Sequence, residues 1–292
     1  MNHSKGTGQR ILRPCSRRSA IVLVLWTAAL RLCLASEDGY SQPRAIDYFD
    51  PELLIGNICP LGGGPAKCLF KSERRATRSD DTVRVGCDYT YPDGTLAARD
   101  RIVYKAGRLV SFEEQLLQTG EKGSARILPD PKNPGQSKIV FDYVVGQGSA
   151  AKTSSASESL AKDTLIDDMI SDFIVSHWGD LETGGSAKFR YIVLSRKETV
   201  GFKLTKESES VLQGQPVARI KMEPTSFIIA QLVDPLFFVV EQGGKHRILQ
   251  YIGRTTPLMR EGNKWKDLDA ITIFDWTQSS GANARVPLTT SR

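Results

Sequence analysis

Apolar and polar residues alternate over most of the chain from Lys67 onward, the period of a half-buried β-strand. The stretch "TVRVGCDYTYPDGTLAARDRIVYKAGRLVSFEEQLLQ" reads as three strands separated by Pro92-Asp93-Gly94 and Ala106-Gly107, residue types that turn hairpins. "TGEKGSARILPD" continues the meander. "SKIVFDYVVG" then sets Ile139, Phe141, Tyr143 and Val145 on one face and Val140, Asp142 and Val144 on the other. The alternation returns at Ala187, with a hairpin around Arg196-Lys197-Glu198 and a strand in "PVARIKMEP". "FIIAQLVDPLFFVVEQGGKHRILQYIGR" holds two or three more strands, with a break at Asp234-Pro235 and a tight turn at Gly243-Gly244. "AITIFDW" is the last strand.

Two segments depart from this period. "GQGSAAKTSSASES" (146–159) is small and polar and predicts a flexible linker. The next residues, 160–178, predict an amphipathic helix. Leu165, Ile166, Met169, Ile170, Phe173, Ile174 and Trp178 recur at helical spacing, and Asp163, Asp167, Asp168, Ser171, Asp172 and Ser176 take the opposite, polar face. Asp163 or Thr164 can cap its start, and Gly179 stops it.

These elements predict a mainly β protein. It is a long curved antiparallel sheet, a half-barrel of roughly a dozen strands in which sequential neighbours pair, because a sheet that long curls or splits. The one inserted helix lies on the concave face. A two-sheet β-sandwich with the helix across one end is the alternative. The predicted organisation is a leader over 1–35, an irregular N-terminal arm over 36–66, a single β-rich domain over 67–277 and a disordered tail over 278–292.

The leader changes the reading of charge. Residues up to Arg18 carry five basic side chains and no acid, an uncharged run follows from Ser19 to Leu30, and Cys33-Leu34-Ala35 supplies the small residues of a cleavage site. This order predicts a secretory signal cleaved after Ala35; the alternative is an uncleaved membrane anchor. The whole chain has 39 Lys and Arg against 33 Asp and Glu, net +6, with a sequence pI of about 9.0. Six of the basic residues lie in the leader, so the chain from Ser36 is balanced at 33 of each. A basic stripe for nucleic acid is therefore not expected, and no stable membrane span is expected after cleavage.

Export places the cysteines in an oxidising compartment, periplasmic or extracellular, where disulfides persist. In "NICPLGGGPAKCLF", Cys59 and Cys68 flank a glycine-rich loop. A phosphate-binding loop needs Gly-Lys-Ser/Thr after a buried strand, and here Ala66 precedes the lysine and Cys68 follows it. A Cys59–Cys68 bridge is the favoured reading, with Cys87 a buried thiol; Cys68–Cys87 and Cys59–Cys87 are the alternatives.

Catalytic and metal patterns are sparse. His177 and His246 fall on separate elements, the first at a helix C-terminus and the second as an exposed hairpin residue. Neither metal nor cofactor is predicted. Glu113-Glu114 point to opposite faces of a strand and Asp167-Asp168 share the polar face of the helix, so neither forms a hydrolytic carboxylate pair by itself. The surplus is apolar surface, most of all in "FIIAQLVDPLFFVV". Met169, Ile170 and Phe173 of the helix with Phe202, Ile220 and Phe237 of the strands are the candidate walls of an apolar cavity.

The exported leader, the long meander, the helix on the concave face and the closing "LQYIGRTTPLMREGNKWKDLDAITIFDW" together resemble the periplasmic lipoprotein-carrier family of half-barrels (LolA/LolB-like) and uncharacterised exported bacterial β-proteins grouped near it. The resemblance covers about Val83 to Trp276. It implies an apolar cavity for acyl chains between sheet and helix and no catalysis. The cysteine loop and the larger number of strands depart from it. The expected role is an exported, non-enzymatic protein that binds an apolar ligand such as a lipid, or an envelope partner. The alternatives are a packed structural or interaction module without a ligand, and a hydrolase of unrecognised type.

Overall fold

A computed structural model describes residues 42–47, 51–62, 67–146, 148–231 and 234–278. The leader, nearly all of the tail and residues 63–66 of the cysteine loop lie outside them. Among the described residues fifteen strands form one sheet. They are β1 (Leu53–Pro60), β2 (Phe70–Ser79), β3 (Thr82–Thr90), β4 (Leu96–Lys105), β5 (Arg108–Leu116), β6 (Glu121–Pro129), β7 (Ser137–Val145), β8 (Lys152–Ser159), β9 (Thr164–Leu165), β10 (Ser186–Val193), β11 (Glu198–Leu212), β12 (Gln215–Pro224), β13 (Leu236–Glu241), β14 (Ile248–Glu261) and β15 (Lys264–Asp275). The order runs from β8 back to β1, across to β15, then back to β9. All neighbours pair antiparallel except β9, which pairs parallel with β10. The expected turns form as left-handed positions at Gly94, Ala106, Gly107, Lys197 and Gly244.

The sheet is mainly β, long and curved, as the alternation predicts, and it stays open. Its two ends approach through side chains. The turn Leu194–Arg196 packs on β6 at Gly123, where a Cβ atom would come within 2.7 Å of the Leu194 Cβ, so the position requires glycine. The backbone N–H of Thr199 on β11 donates to Glu158 Oε1 on β8 at 3.0 Å.

The concave face is filled by one short helical segment. A 3-10 turn over Asp167–Met169 leads into α1 (Ile170–Ser176), followed by α2 (Trp178–Glu182). Met169, Ile170, Phe173 and Ile174 are fully buried in the main core. Phe173 stacks towards Phe189 at 5.2 Å, and Phe189 towards Phe202 at 6.1 Å. A smaller cluster of Ile58, Phe70, Ala97, Leu268 and Ala270 sits apart from this core.

Several expectations are corrected. The 146–159 stretch is not a linker: residues 152–159 form edge strand β8, paired with β7 from Lys138↔Ser159 to Val145↔Lys152. Its side chains are nearly all polar, so backbone pairing and polar contacts such as Ser155 Oγ donating to Asp142 Oδ1 at 2.6 Å hold it. The N-terminal arm is not irregular throughout, because β1 is a central strand between β2 and β15. Its "LLIGNICP" is buried on both faces and shows no alternation. The helix does not run over 160–178. Thr164-Leu165 are extended along β10, and no side chain caps either helical start. His246 is half-buried and stacks on Trp178 at 4.1 Å. Among the described residues no helix is long and apolar enough to cross a membrane.

Candidate functional site

Much of the polar side of the helical segment is covered, although Asp167 and Ser176 keep exposed surface. Arg44 in the described part of the arm reaches Asp172 Oδ2 at 3.2 Å, Asp163 Oδ1 at 3.3 Å and Ser176 Oγ at 2.6 Å. The Asp47 N–H donates to Asp172 Oδ1 at 2.9 Å, and Ile46, pinned to Gly107 O, is core. The polar stripe is therefore clamped between the arm and the sheet. Asp168 is paired too: Arg74 Nε lies 2.5 Å from its Oδ1 and the Tyr104 hydroxyl donates to its Oδ2 at 2.8 Å. Arg74 Nη1 also donates to Pro51 O at 2.8 Å.

Beneath the N-terminal end of the segment lies a cavity of about 170 Å³. Its apolar wall includes Leu54, Ile102, Phe112, Ile166, Ile170 and Phe238. Its polar wall follows from register. On the concave face Glu114 of β5 stands opposite Asp100 of β4, Asp100 opposite Cys87 of β3, and Cys87 opposite Arg74 of β2. Four titratable side chains thus form one row across four strands; Arg74, Cys87 and Asp100 line the cavity with Asp167 and Asp168 of the 3-10 turn, and Glu114 lies next to Asp100 outside the lining.

Asp100 is only 7% exposed. Its Oδ2 accepts from the Tyr89 hydroxyl at 2.9 Å, and its Oδ1 has no hydrogen-bond partner. Asp167 Oδ1 accepts from the Tyr191 hydroxyl at 2.5 Å. Asp167 retains open surface yet is deeply surrounded by protein atoms, the combination expected of a residue on a cavity wall. Burial, and then the charge of Glu114, holds Asp100 well above the usual carboxylate range. Burial and Asp168 raise Asp167, while its bond from Tyr191 opposes the rise. Burial, with Asp167 and Glu121, pushes Glu114 up to about 7. Burial and the same negative charge keep Tyr89 and Tyr191 well above the phenol range, so both remain hydrogen-bond donors.

Cys87 is free and half-buried on this wall. Burial and the Asp100 charge push its thiol up, which removes the thiolate a nucleophile needs. The Cys59–Cys68 bridge is formed, with Cα atoms 3.9 Å apart. Among the described residues no three His, Cys, Asp or Glu side chains are arranged to hold a metal ion.

The six candidate wall residues divide. Ile170 lines the cavity. Met169, Phe173, Phe202 and Ile220 are in the packed core beyond it, at 7% exposure or less. Phe237 lies on the opposite face from Phe238, half-buried beneath the Arg219 guanidinium, 3.8 Å from the ring centroid. A signal for the polar wall was present in the chain: in "LAARDRIVYK", Asp100 occupies the same face as Ala98, Ile102 and Tyr104, a charge inside an apolar stripe.

No protein-family model matches the chain and no curated protein matches it. Among solved structures the chain is similar to a β-barrel-like protein of a domain of unknown function, DUF1849, from Brucella abortus. The TM-score is 0.31 and the identity 8%, over 80% of this chain and 98% of that one. At that TM-score nothing about this chain is inferred from the likeness.

Proposed function

We propose that the protein is an exported, non-catalytic binding protein that takes the apolar part of a ligand into the cavity below the helical segment. The single observation behind this reading is a partly apolar cavity inside an otherwise close-packed concave face. Interiors normally fill such space, since voids forfeit packing contacts. At about 170 Å³ the space is similar to an engineered apolar cavity of about 150 Å³ that admits benzene. It therefore suits a ring or a short length of acyl chain, with the remainder of a longer ligand outside. Membership of the lipoprotein-carrier type is part of this proposal, supported by the meander and the helix on its concave face. Export is supported by the leader's order and by the disulfide.

Native mass spectrometry of the protein, purified without detergent from the cells that make it, tests the reading. A bound apolar mass that exchanges for added octan-1-ol is expected. A ligand-free mass that takes up no added octanol, alkylamine or fatty acid overturns it and favours the packed module.

A further inference from the structure

The β14–β15 hairpin does not run straight to its tip. The two strands pair as far as Thr255↔Leu268 and resume at Met259↔Lys266, so Thr256, Pro257 and Leu258 lie in a bulge. A bulge bends the strand that carries it. Past this bend the hairpin meets the turn between β5 and β6, although β1, β2, β3 and β4 stand between β15 and β5 in the sheet. The Leu258 N–H donates to Gln118 Oε1 at 2.7 Å, and Gln118 Nε2 donates to the Leu258 carbonyl at 2.8 Å and to the Tyr91 hydroxyl at 2.6 Å. One amide side chain therefore satisfies both backbone groups of Leu258, as a neighbouring strand would. The hairpin crosses one end of the curved sheet instead of extending it.

The crossing begins at the cavity. Arg254, Thr255 and Thr256, at the base of the hairpin, are part of the cavity wall. The rest of that wall draws on both apolar clusters, Ile58 from the smaller one and Ile102, Phe112, Ile166, Ile170 and Phe238 from the main core. The far side of the contact is firmly held. The Gln118 N–H donates to Ala97 O at 3.3 Å, and the Tyr91 ring packs on Phe70 at 4.9 Å. The hairpin itself is not. Pro257 is buried and Leu258 half-buried, but residues 259–267 are exposed apart from half-buried Trp265, which lies near Arg260 of the same hairpin. An element with so little buried surface opens at low free energy, and the Gln118 bonds carry much of what keeps it closed.

Resting on the binding reading above, we propose that residues 256–266 form a lid on the cavity, hinged at the bulge and latched by Gln118 on Leu258, and that ligand enters and leaves when the latch opens. Gln118 is not on the cavity wall, so the latch sets the rate of exchange and leaves the ligand's own contacts alone. Entry and exit pass through the same open state, and loosening the latch speeds both by the same factor.

Stopped-flow mixing of the full protein with octan-1-ol, followed through tryptophan fluorescence, tests the lid, because Trp276 is on the cavity wall. Gln118→Ala is expected to bind octanol within about twofold of the wild-type affinity, with entry and exit both about tenfold or more faster, as the loss of two or three hydrogen bonds allows. Melting curves report whether the variant is folded; if it is not, Gln118→Asn, too short to reach both groups of Leu258, decides by the same measurement. Unchanged rates overturn the lid and leave the binding reading intact. So does a faster exit with entry unchanged, which would make Gln118 a contributor to affinity. Octanol binding by the variant alone supports a lid that holds the wild type shut. Failure of wild type and variants alike to bind octanol overturns both.

Discussion

The concave face has two halves that treat the same helical segment differently. Towards β10–β12, Phe173 is fully buried and meets Phe189, and Leu204, Ala218 and Ile220 are sealed beneath it. Towards β1–β5 and β13–β15, Ile166, Asp167, Asp168 and Ile170 look onto a cavity whose far wall is polar. One turn of helix therefore separates a packed core from a space. The packed half fixes the segment in place, and the open half presents chemistry, so damage to the two should be separable.

The largest effect belongs to the packed half. Phe173→Ala should cost about 3–5 kcal/mol of unfolding free energy, the range for a large aromatic removed from a core. Ile170→Ala, at the cavity edge, should cost clearly less, because part of its surface already lacks neighbours. Urea unfolding of both variants checks the order, and equal losses would erase the distinction between the halves.

Arg74→Met tests the buried polar joint between sheet and segment. It leaves Asp168, only 6% exposed in its side chain, without its guanidinium, and should cost about 3–5 kcal/mol at the upper limit for a broken buried pair. The double change Arg74→Met with Asp168→Leu should recover much of that loss, which a thermodynamic cycle measures.

Replacing Cys59 and Cys68 together by serine opens the bridge near the smaller cluster, away from the packed half. Closing so short a loop contributes about 2–3 kcal/mol. Denaturation should show that loss, with octanol affinity retained.

A smaller, pH-dependent effect marks the open half. Glu114 titrates at about 7 in the folded protein, above the ordinary value of 4.5, so the native state holds its proton where the unfolded chain has released it. Stability from this group is complete below about pH 4.5 and is lost as pH rises through about 7. Asp100 and Asp167 act in the same direction. Glu73, Asp88, Glu223 and Glu241 are lowered, so their stability is lost as pH falls below the carboxylate range, outside that window. Urea midpoints should fall between pH 5 and pH 8 in the wild type, and the fall should be shallower in Glu114→Gln.

The sheet was legible where burial is one-sided. Strict alternation and turn residues such as Asp93-Gly94 and Ala106-Gly107 located β3 to β5, and the apolar spacing located the core face of α1. Strand β1 was hidden because burial on both faces removes alternation. Strand β8 was hidden because "KTSSASES" has no apolar alternation and is held by backbone pairing and polar contacts. Apart from Asp100, a charge visible inside an apolar stripe, the polar wall was hidden for a different reason. Glu114, Asp100, Cys87 and Arg74 become neighbours only through register, which bulges at Val103/Tyr104 and Tyr89/Thr90 help set. The acids of the segment looked like a solvated face because their partners, Arg44 and Arg74, are more than 90 residues away in the chain.

The most direct measurement is the melting temperature of the wild type and Ile170→Trp, each with and without octan-1-ol. A ligand that binds only the native state stabilises it in proportion to the logarithm of its concentration. A tryptophan at Ile170 should fill the space. The account predicts a rise in melting temperature for the wild type that grows with octanol concentration, and a folded Ile170→Trp protein with no such rise. No rise in the wild type, with Ile170→Trp destabilised by the roughly 1–3 kcal/mol of an overpacked core, would contradict it.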